Sequence, residues 1–304
     1  MPQKQPPFLQ QTWNLIRNPD RSLKAKVVTL RNLSVIFLKK IRRLRIMLKP
    51  KPPGFSGWGM TSDKFVPWNP KSSDDTGLEF SEVTRRLLAG LNADDIIFGG
   101  GYELDGYENL LKRLSWRHYV VYWTSKFSAK NTQTEKVNIV ETGVWYGLST
   151  QYAIAALQST LGKSSNFEVF LYDAWEGMKE ENLTFSEKVS IGNYSYLSLE
   201  QAKSNLSDFQ DRCKFIKGHI PDVFVGNPGP TELSWLHIDL NSSMPTLKTL
   251  EHFVPKLLPG GVVLFDDYAH GGFSETREVA DEYCKQVNGL LFPLPTGQAI
   301  FFKH

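Results

Sequence analysis

The feature that most constrains the fold is an alternation, from Val137 onward, of short apolar, β-branched runs with helical segments. The runs that predict strands are VNIVE, EVFLYD, CKFIK, SWLHIDL, GVVLFDD, LLFPL and AIFFK. Strands that alternate with helices are typical of a doubly wound parallel sheet. The last two runs are joined by PTGQ, which is too short for a crossover and predicts an antiparallel hairpin at the sheet edge or inserted next to it. The sequence therefore predicts an α/β fold with a mostly parallel, seven-stranded sheet.

The N-terminal part of the chain has a different composition. Residues 1–51 contain thirteen Lys and Arg against the single acid Asp20, although the formal net charge of the whole chain is only +3. Residues 27–48 place apolar side chains at steps of three and four, which predicts a basic amphipathic helix. Prolines soon after this segment end the helix. We predict a helical arm over 1–53, a loop and helical region over 54–130, and the sheet domain over 131–304.

Composition excludes several classes of protein. The two cysteines, Cys213 and Cys284, have no metal-ligand spacing, so neither a disulfide framework nor a cysteine zinc site is expected. The first residues lack the apolar core of a secretory signal. Residues 142–162 carry no charge, but small and polar residues interrupt them, so no membrane span is predicted. We expect a cytoplasmic protein, with peripheral contact at the inner membrane surface left open.

Acidic residues follow the predicted strands. In an open parallel sheet, ligands bind at the carboxyl ends of the strands, so the residues found there form the list of candidate site residues. They are Glu141, Asp173, Gly218, Asp239 and the adjacent pair Asp266 and Asp267. Acids at these positions also commonly cap the helices that follow. For any single one of them, helix capping explains its position about as well as a role in the site does.

The turn after the first strand, ETGVWYGLST, indicates the kind of cofactor. Gly143 and Gly147 let the backbone approach a ligand, but Trp145 stands where a dinucleotide site needs a second glycine, so NAD and FAD are disfavoured. Asp173 ends the second strand, where a carboxylate can accept both hydroxyls of a ribose. S-adenosylmethionine has an adenosine and no pyrophosphate, and it fits this pattern. The predicted cofactor contacts are Glu141, Gly143, Gly147, Ser149, Asp173, Gly218 and His219.

Six segments together resemble one family. They are VETGVWYG, LYDAWEGM, KGHIPDVF, LHIDLNSSMP, LPGGVVLFDDYAHGG and LPTGQAIFFK. In order and spacing they are similar to the class I S-adenosylmethionine-dependent methyltransferases of the macrocin type, which are sugar O-methyltransferases with a Rossmann-like fold. The likeness covers about residues 137–304, and GFSGWGMTSDKFVPW upstream resembles the family's active-site lid. The resemblance implies a divalent metal, usually magnesium, held by Asp239, Asp266 and Asp267.

The resemblance also implies how the acceptor is activated. The metal would orient a substrate hydroxyl and lower its pKa, and a nearby base would take the proton. We place Asp239 first as this base and His270 second. Family members often carry an acid where this sequence has Asn241, and an Asn can coordinate a metal through oxygen but cannot act as a base.

The sequence therefore predicts a metal-dependent O-methyltransferase acting on a sugar or a glycosylated small molecule. Two alternatives stay open: a methyltransferase whose basic arm recruits RNA, and a non-catalytic module for a membrane surface or an assembly. RNA is disfavoured because the chain beyond the arm is acidic, with 22 basic against 31 acidic residues. Self-association is open, and so is peripheral membrane contact through residues 27–48. Docking of that helix on its own domain or on a second subunit is slightly preferred to membrane contact.

Overall fold

The computed structural model describes residues 76–90, 114–162, 166–269 and 274–304. The strands are β1 (Val137–Thr142), β2 (Phe167–Asp173), β3 (Cys213–Lys217), β4 (Leu233–Ile238), β5 (Leu257–Phe265), β6 (Leu290–Pro293) and β7 (Ala299–Phe302). The helices are α1 (Thr76–Gly90), α2 (Ser115–Asn131), α3 (Leu148–Leu161), α4 (Leu199–Asn205), α5 (Val223–Gly226), α6 (Ser243–Phe253) and α7 (Ser274–Gln286). Short 3-10 turns lie at Glu180–Asn182, Glu187–Ser190, Ser207–Phe209 and Val254–Lys256.

The seven strands form one sheet in the order β3-β2-β1-β4-β5-β7-β6. The first five strands are parallel to their neighbours, while β7 is antiparallel to both β5 and β6. This confirms the predicted fold class, and it places the last strand inside the sheet, with β6 at the edge. The strand order reverses between β1 and β4, which is where such sheets bind ligands.

Both faces of the sheet are covered, which explains why its central strands read as nearly continuous apolar runs. Along β4, Trp235 packs into the core beneath α2 and α3, whereas Leu236 packs beneath α6. Because side chains alternate along a strand, His237 shares the α2 face with Trp235, and Glu141 shares it with Ile139 of β1. Two polar side chains thus lie on the face where α2 packs.

Two sequence predictions differ from the structure in detail. Between β2 and β3 the sequence has a long polar stretch that predicts helix, but this segment is mostly loop and 3-10 turns, with α4 as its one α-helix. Strand β5 begins at Leu257 and ends at Phe265, so the two acids that follow belong to the loop. The uncharged segment 142–162 is largely the buried helix α3, and no helix in the described part of the chain is long and apolar enough to cross a membrane.

Several predictions fall outside the described residues. They concern the arm over 1–53, the lid segment from residue 54 to 75, part of the helical region at 91–113, and His270.

Candidate active site

Glu141 and His237 meet where β1 and β4 end. The two residues are register partners across the strands, and His237 Nδ1 lies 3.0 Å from Glu141 Oε1. The hydroxyl of Thr150, in the first turns of α3, donates to the other carboxylate oxygen of Glu141. Glu141 is 1% exposed and His237 is fully buried. Both oxygens of Glu141 thus have protein partners, and its predicted cofactor contact stays a prediction.

Asp173 holds the turn that follows β1. Its Oδ2 accepts the backbone N–H groups of Val144 at 2.7 Å and Trp145 at 2.9 Å, and its Oδ1 accepts the N–H of Trp175 at 2.7 Å. Burial raises the pKa of Asp173, against the three N–H donors that lower it. The carboxylate therefore has a structural role at this turn whatever ligand it contacts.

The other predicted cofactor residues surround the same corner. Gly147 has a φ of +83° and begins α3, with Ser149 buried in the first turn. The N–H of Gly218 donates to the Asp173 carbonyl at 3.0 Å, which brings the loop after β3 beside the end of β2. His219 Nε2 lies 2.6 Å from Glu176 Oε1. The structure thus places Gly218 next to Asp173, and the cofactor contacts of Gly147, Ser149, Gly218 and His219 stay predictions.

A second corner lies beyond the ends of β4 and β5, and its centre is Arg117 of α2. The Arg117 Nη2 lies 2.5 Å from Asp239 Oδ2 and 2.5 Å from Asp266 Oδ2. The Arg117 Nε donates to Asp266 Oδ1 at 2.7 Å, and Gln298 Nε2 donates to the same oxygen at 3.0 Å. A guanidinium thus bridges two of the three carboxylates predicted to bind metal.

His237, near the end of β4, also contributes to this corner. Its Nε2 has no hydrogen-bond partner among the described residues and lies 3.6 Å from Asp266 Oδ1. Donor atoms of His237, Asp239 and Asp266 all lie within 4.8 Å of one another, a spacing that could hold a metal ion. Asp267 is not in that group, and its Oδ2 accepts the backbone N–H of Asn241 at 2.9 Å.

The pKa shifts at this corner show an excess of negative charge. Burial and the neighbouring Asp266 raise the pKa of Asp239 to about 6. Burial together with Asp239 and Asp266 raises the pKa of Asp267 well above its usual value. Burial opposes ionisation of Asp266 too, but Arg117 and His237 hold its pKa below the usual range. Burial disfavours the His237 cation, yet the nearby carboxylates of Asp266 and Glu141 raise its pKa to about 10.

Counting charges gives the same result. Four carboxylates act on one another electrostatically around the ends of β1, β4 and β5: Glu141, Asp239, Asp266 and Asp267. The described cations among them are Arg117 and His237. Two more positive charges would balance the group if every carboxylate were ionised. A divalent cation carries that charge, and oxygen ligands suit magnesium. The donor set therefore fits such an ion.

Comparison with known proteins assigns the domain. A family profile described as a methyltransferase domain matches residues 140–268, which include every strand end described above except those of β6 and β7. The match covers 129 of the 304 residues, and this part of the chain is similar to methyltransferase domains.

Two curated relatives are O-methyltransferases. A tetracenomycin rhamnosyl 4'-O-methyltransferase from Streptomyces olivaceus is 28% identical over 178 residues, 55% of this chain and 66% of the relative. Mycinamicin III 3''-O-methyltransferase from Micromonospora griseorubida is 26% identical over 157 residues, 48% of this chain and 59% of the relative. The matches thus span less than two thirds of each relative's length. They confirm the resemblance to this group of methyltransferases that the sequence motifs predicted.

A solved structure, the O-methyltransferase NovP, has the same fold as the sheet domain of this chain. The two superpose with a TM-score of 0.59 at 17% identity, over 75% of this chain and 99% of NovP. Identity at this level supports the fold alone.

Strained backbone marks the loops that border the two corners. Trp145, Trp175, Tyr194 and Asn241 are non-glycine residues with positive φ, at 54°, 42°, 66° and 54°. They follow β1, β2 and β4, and such conformations concentrate at functional sites. Asn tolerates this backbone region better than most residues, which accounts for Asn241 independently of any role as a ligand.

Glu187 connects a loop of the domain to the start of α6. It accepts the N–H of Ser243 at 2.7 Å, the hydroxyl of Ser242 at 3.0 Å and the N–H of Thr184 at 3.0 Å. The loop between β2 and α4 is thereby fixed beside the turn that carries Asp239. No local pattern marks Glu187 or Arg117, since their main partners lie far away in the chain. His237 was also not predicted, although it is a polar residue on the core-facing side of β4.

Proposed function

We propose that the chain is an S-adenosylmethionine-dependent O-methyltransferase that acts on a hydroxyl of a sugar or of a glycosylated small molecule. The observation that carries the proposal is the adjacency of two corners, one around Asp173 and one around Asp239, joined where Gly143 packs on the backbone of Asp239. A methyl donor at the first corner would lie next to an acceptor at the second. The two curated O-methyltransferases, whose names specify sugar positions, support the class of acceptor.

The first corner would hold the cofactor. A carboxylate can accept about four hydrogen bonds. Asp173 already accepts three, all from backbone N–H groups. One position is left for a ribose hydroxyl, fewer than a free carboxylate offers. Helix α3 begins directly after Gly147, and the free N–H groups of a helix N-terminus suit the carboxylate of a ligand such as S-adenosylmethionine. Bound S-adenosylmethionine supplies an electrophilic methyl group.

The second corner would hold the acceptor and a divalent cation. Asp239, Asp266 and Asp267 are the residues that would bind the cation, and the uncompensated negative charge among them is the reason. When bound, a divalent cation lowers the pKa of an acceptor hydroxyl and orients it.

Asp239 is the residue that would take the proton from the acceptor hydroxyl. Arg117 bonds to its Oδ2, and no described residue bonds to Oδ1. Its raised pKa, about 6, makes it a better proton acceptor near neutral pH than an ordinary aspartate. His237 is unsuited to this role because its raised pKa keeps it protonated. His270 stays the second proposed base.

Transfer of a labelled methyl group from the cofactor tests the function. The acceptor panel would contain nucleotide sugars, glycosylated small molecules and RNA, with magnesium present. We expect O-methylated sugar products. Label on RNA alone, or cofactor binding without any transfer, would contradict the proposal and favour one of the two alternatives drawn from the sequence.

A further inference from the structure

Arg117 occupies the position between the carboxylates that a metal ion would need. Its Nη2 lies 2.5 Å from an oxygen of Asp239 and 2.5 Å from an oxygen of Asp266, and its Nε takes the other Asp266 oxygen at 2.7 Å. Protein-bound magnesium lies about 2.1 Å from its oxygen ligands, and calcium about 2.4 Å. A nitrogen at these distances from both carboxylates fills nearly the same point in space.

The backbone around Arg117 is held by contacts of its own. The Arg117 backbone carbonyl accepts a weak bond from Gln298 Nε2 at 3.4 Å, and the next residue, His118, stacks on Tyr152 with centroids 4.8 Å apart. The α2 backbone is therefore fixed, and only the side chain of Arg117 could leave the carboxylates. The guanidinium and a divalent cation are both positive, so they would repel each other strongly if both contacted the same pair of carboxylate oxygens.

We propose that Arg117 is an internal competitor of the divalent cation: its guanidinium bridges Asp239 and Asp266 in the metal-free protein, and cation binding displaces it. This inference rests on the proposed function for the identity of the ion. Arg117 then sets the affinity of the site, because each binding event must break three short, charge-assisted contacts. It also explains how buried acids remain stable before the ion arrives.

Calorimetric titration of the full chain with Mg²⁺, repeated with Mn²⁺, tests the inference. Arg117→Gln should bind the ion about tenfold or more tightly than the parent protein, because the competing charge is gone. Arg117→Lys keeps the charge but loses the second nitrogen, and it should show a smaller gain. Arg85→Gln, which removes an arginine bonded to the exposed Glu82 on α1, should leave the affinity unchanged.

Unchanged or weaker cation binding in Arg117→Gln would overturn the inference, because it would make Arg117 a supporting residue of the metal site. If that variant does not fold, as judged by circular dichroism, the Lys variant decides, and no gain there overturns the inference equally. Binding of S-adenosylhomocysteine is measured on the same samples. Lack of methyl transfer by a parent protein whose Arg117→Gln variant gains cation affinity would refute the proposed function alone.

Discussion

Gly143 lies directly against the carbonyl of Asp239. It has a φ of +85°, and a Cβ at this position would overlap the Asp239 carbonyl oxygen. The N–H of Asp239 also donates to the Thr142 carbonyl at 2.9 Å. This contact joins the turn proposed to hold the cofactor to the residue proposed to act on the acceptor. The glycine is therefore needed for close packing within the protein, in addition to any approach of a ligand.

Gly143→Ala should destabilise the protein strongly. The change adds a clash with backbone to a positive φ, and together these should lower the free energy of unfolding by about 3–5 kcal/mol. Gly162→Ala is the matched control, because Gly162 has a φ of +90° with no atom within 4 Å of an added Cβ. In Gly162→Ala the backbone strain alone should lower the free energy of unfolding, by about 1–2 kcal/mol. Urea unfolding compares the two variants, and equal losses would contradict this packing.

Asp173→Ala should reduce both stability and cofactor affinity. It leaves three backbone N–H groups without their acceptor, which should cost about 3 kcal/mol of unfolding free energy. Binding of S-adenosylhomocysteine should weaken at least about tenfold, since the turn and a ribose contact are lost together. Thermal unfolding and calorimetry measure the two effects. The exposed Asp208→Ala serves as control, and parent-like behaviour of Asp173→Ala in both assays would refute the assignment.

Glu187→Gln should loosen the loop between β2 and α4. A glutamine side chain has one acceptor oxygen and an NH2 group in place of the other, so at least one of the donors on Thr184, Ser242 and Ser243 loses its acceptor, at about 1–3 kcal/mol. Cofactor affinity should not change, because these contacts lie on the acceptor side. Urea unfolding and calorimetry provide the readouts, with the exposed Glu181→Gln as control. A variant that loses cofactor affinity but no stability would contradict this role.

Most of the fold could be predicted because it depends on local signals. The buried parallel strands read as continuous apolar runs, and the short PTGQ turn forces β6 and β7 into a hairpin. The pattern could not show that β7 lies inside the sheet, since the pairing of β7 with β5 rests on contacts between distant segments. The helix predicted after β2 was also wrong. Hydrogen bonds to distant residues, such as those of Glu187, hold this segment as a loop where helical hydrogen bonds were expected.

The site could be predicted only where its residues end strands. Asp239, Asp266 and Asp267 follow apolar runs and were found by that rule. Arg117 lies 122 residues before Asp239 and 149 before Asp266, and no local pattern marks it. His237 did leave a signal, since it is a polar residue at a core-facing position of a strand.

Methyl transfer should depend on a divalent cation. Activity should disappear in excess chelator and return with magnesium, because the carboxylates after β4 and β5 carry more charge than Arg117 and His237 balance. High magnesium concentrations should be needed if Arg117 competes for the site. Binding of S-adenosylhomocysteine in chelator is the control and should be unaffected. Full turnover after dialysis that leaves no detectable metal would show that the carboxylates work without an ion.

The most direct test of the account is methyl transfer by Asp239→Asn, measured beside its cofactor binding. Asn preserves the backbone contact with Gly143 and removes the carboxylate. We expect the variant to bind S-adenosylhomocysteine as the parent protein does and to transfer methyl groups to the sugar acceptor at least about 100-fold more slowly. Transfer at the parent rate would contradict the central claim that the carboxylate after β4 acts on the acceptor hydroxyl.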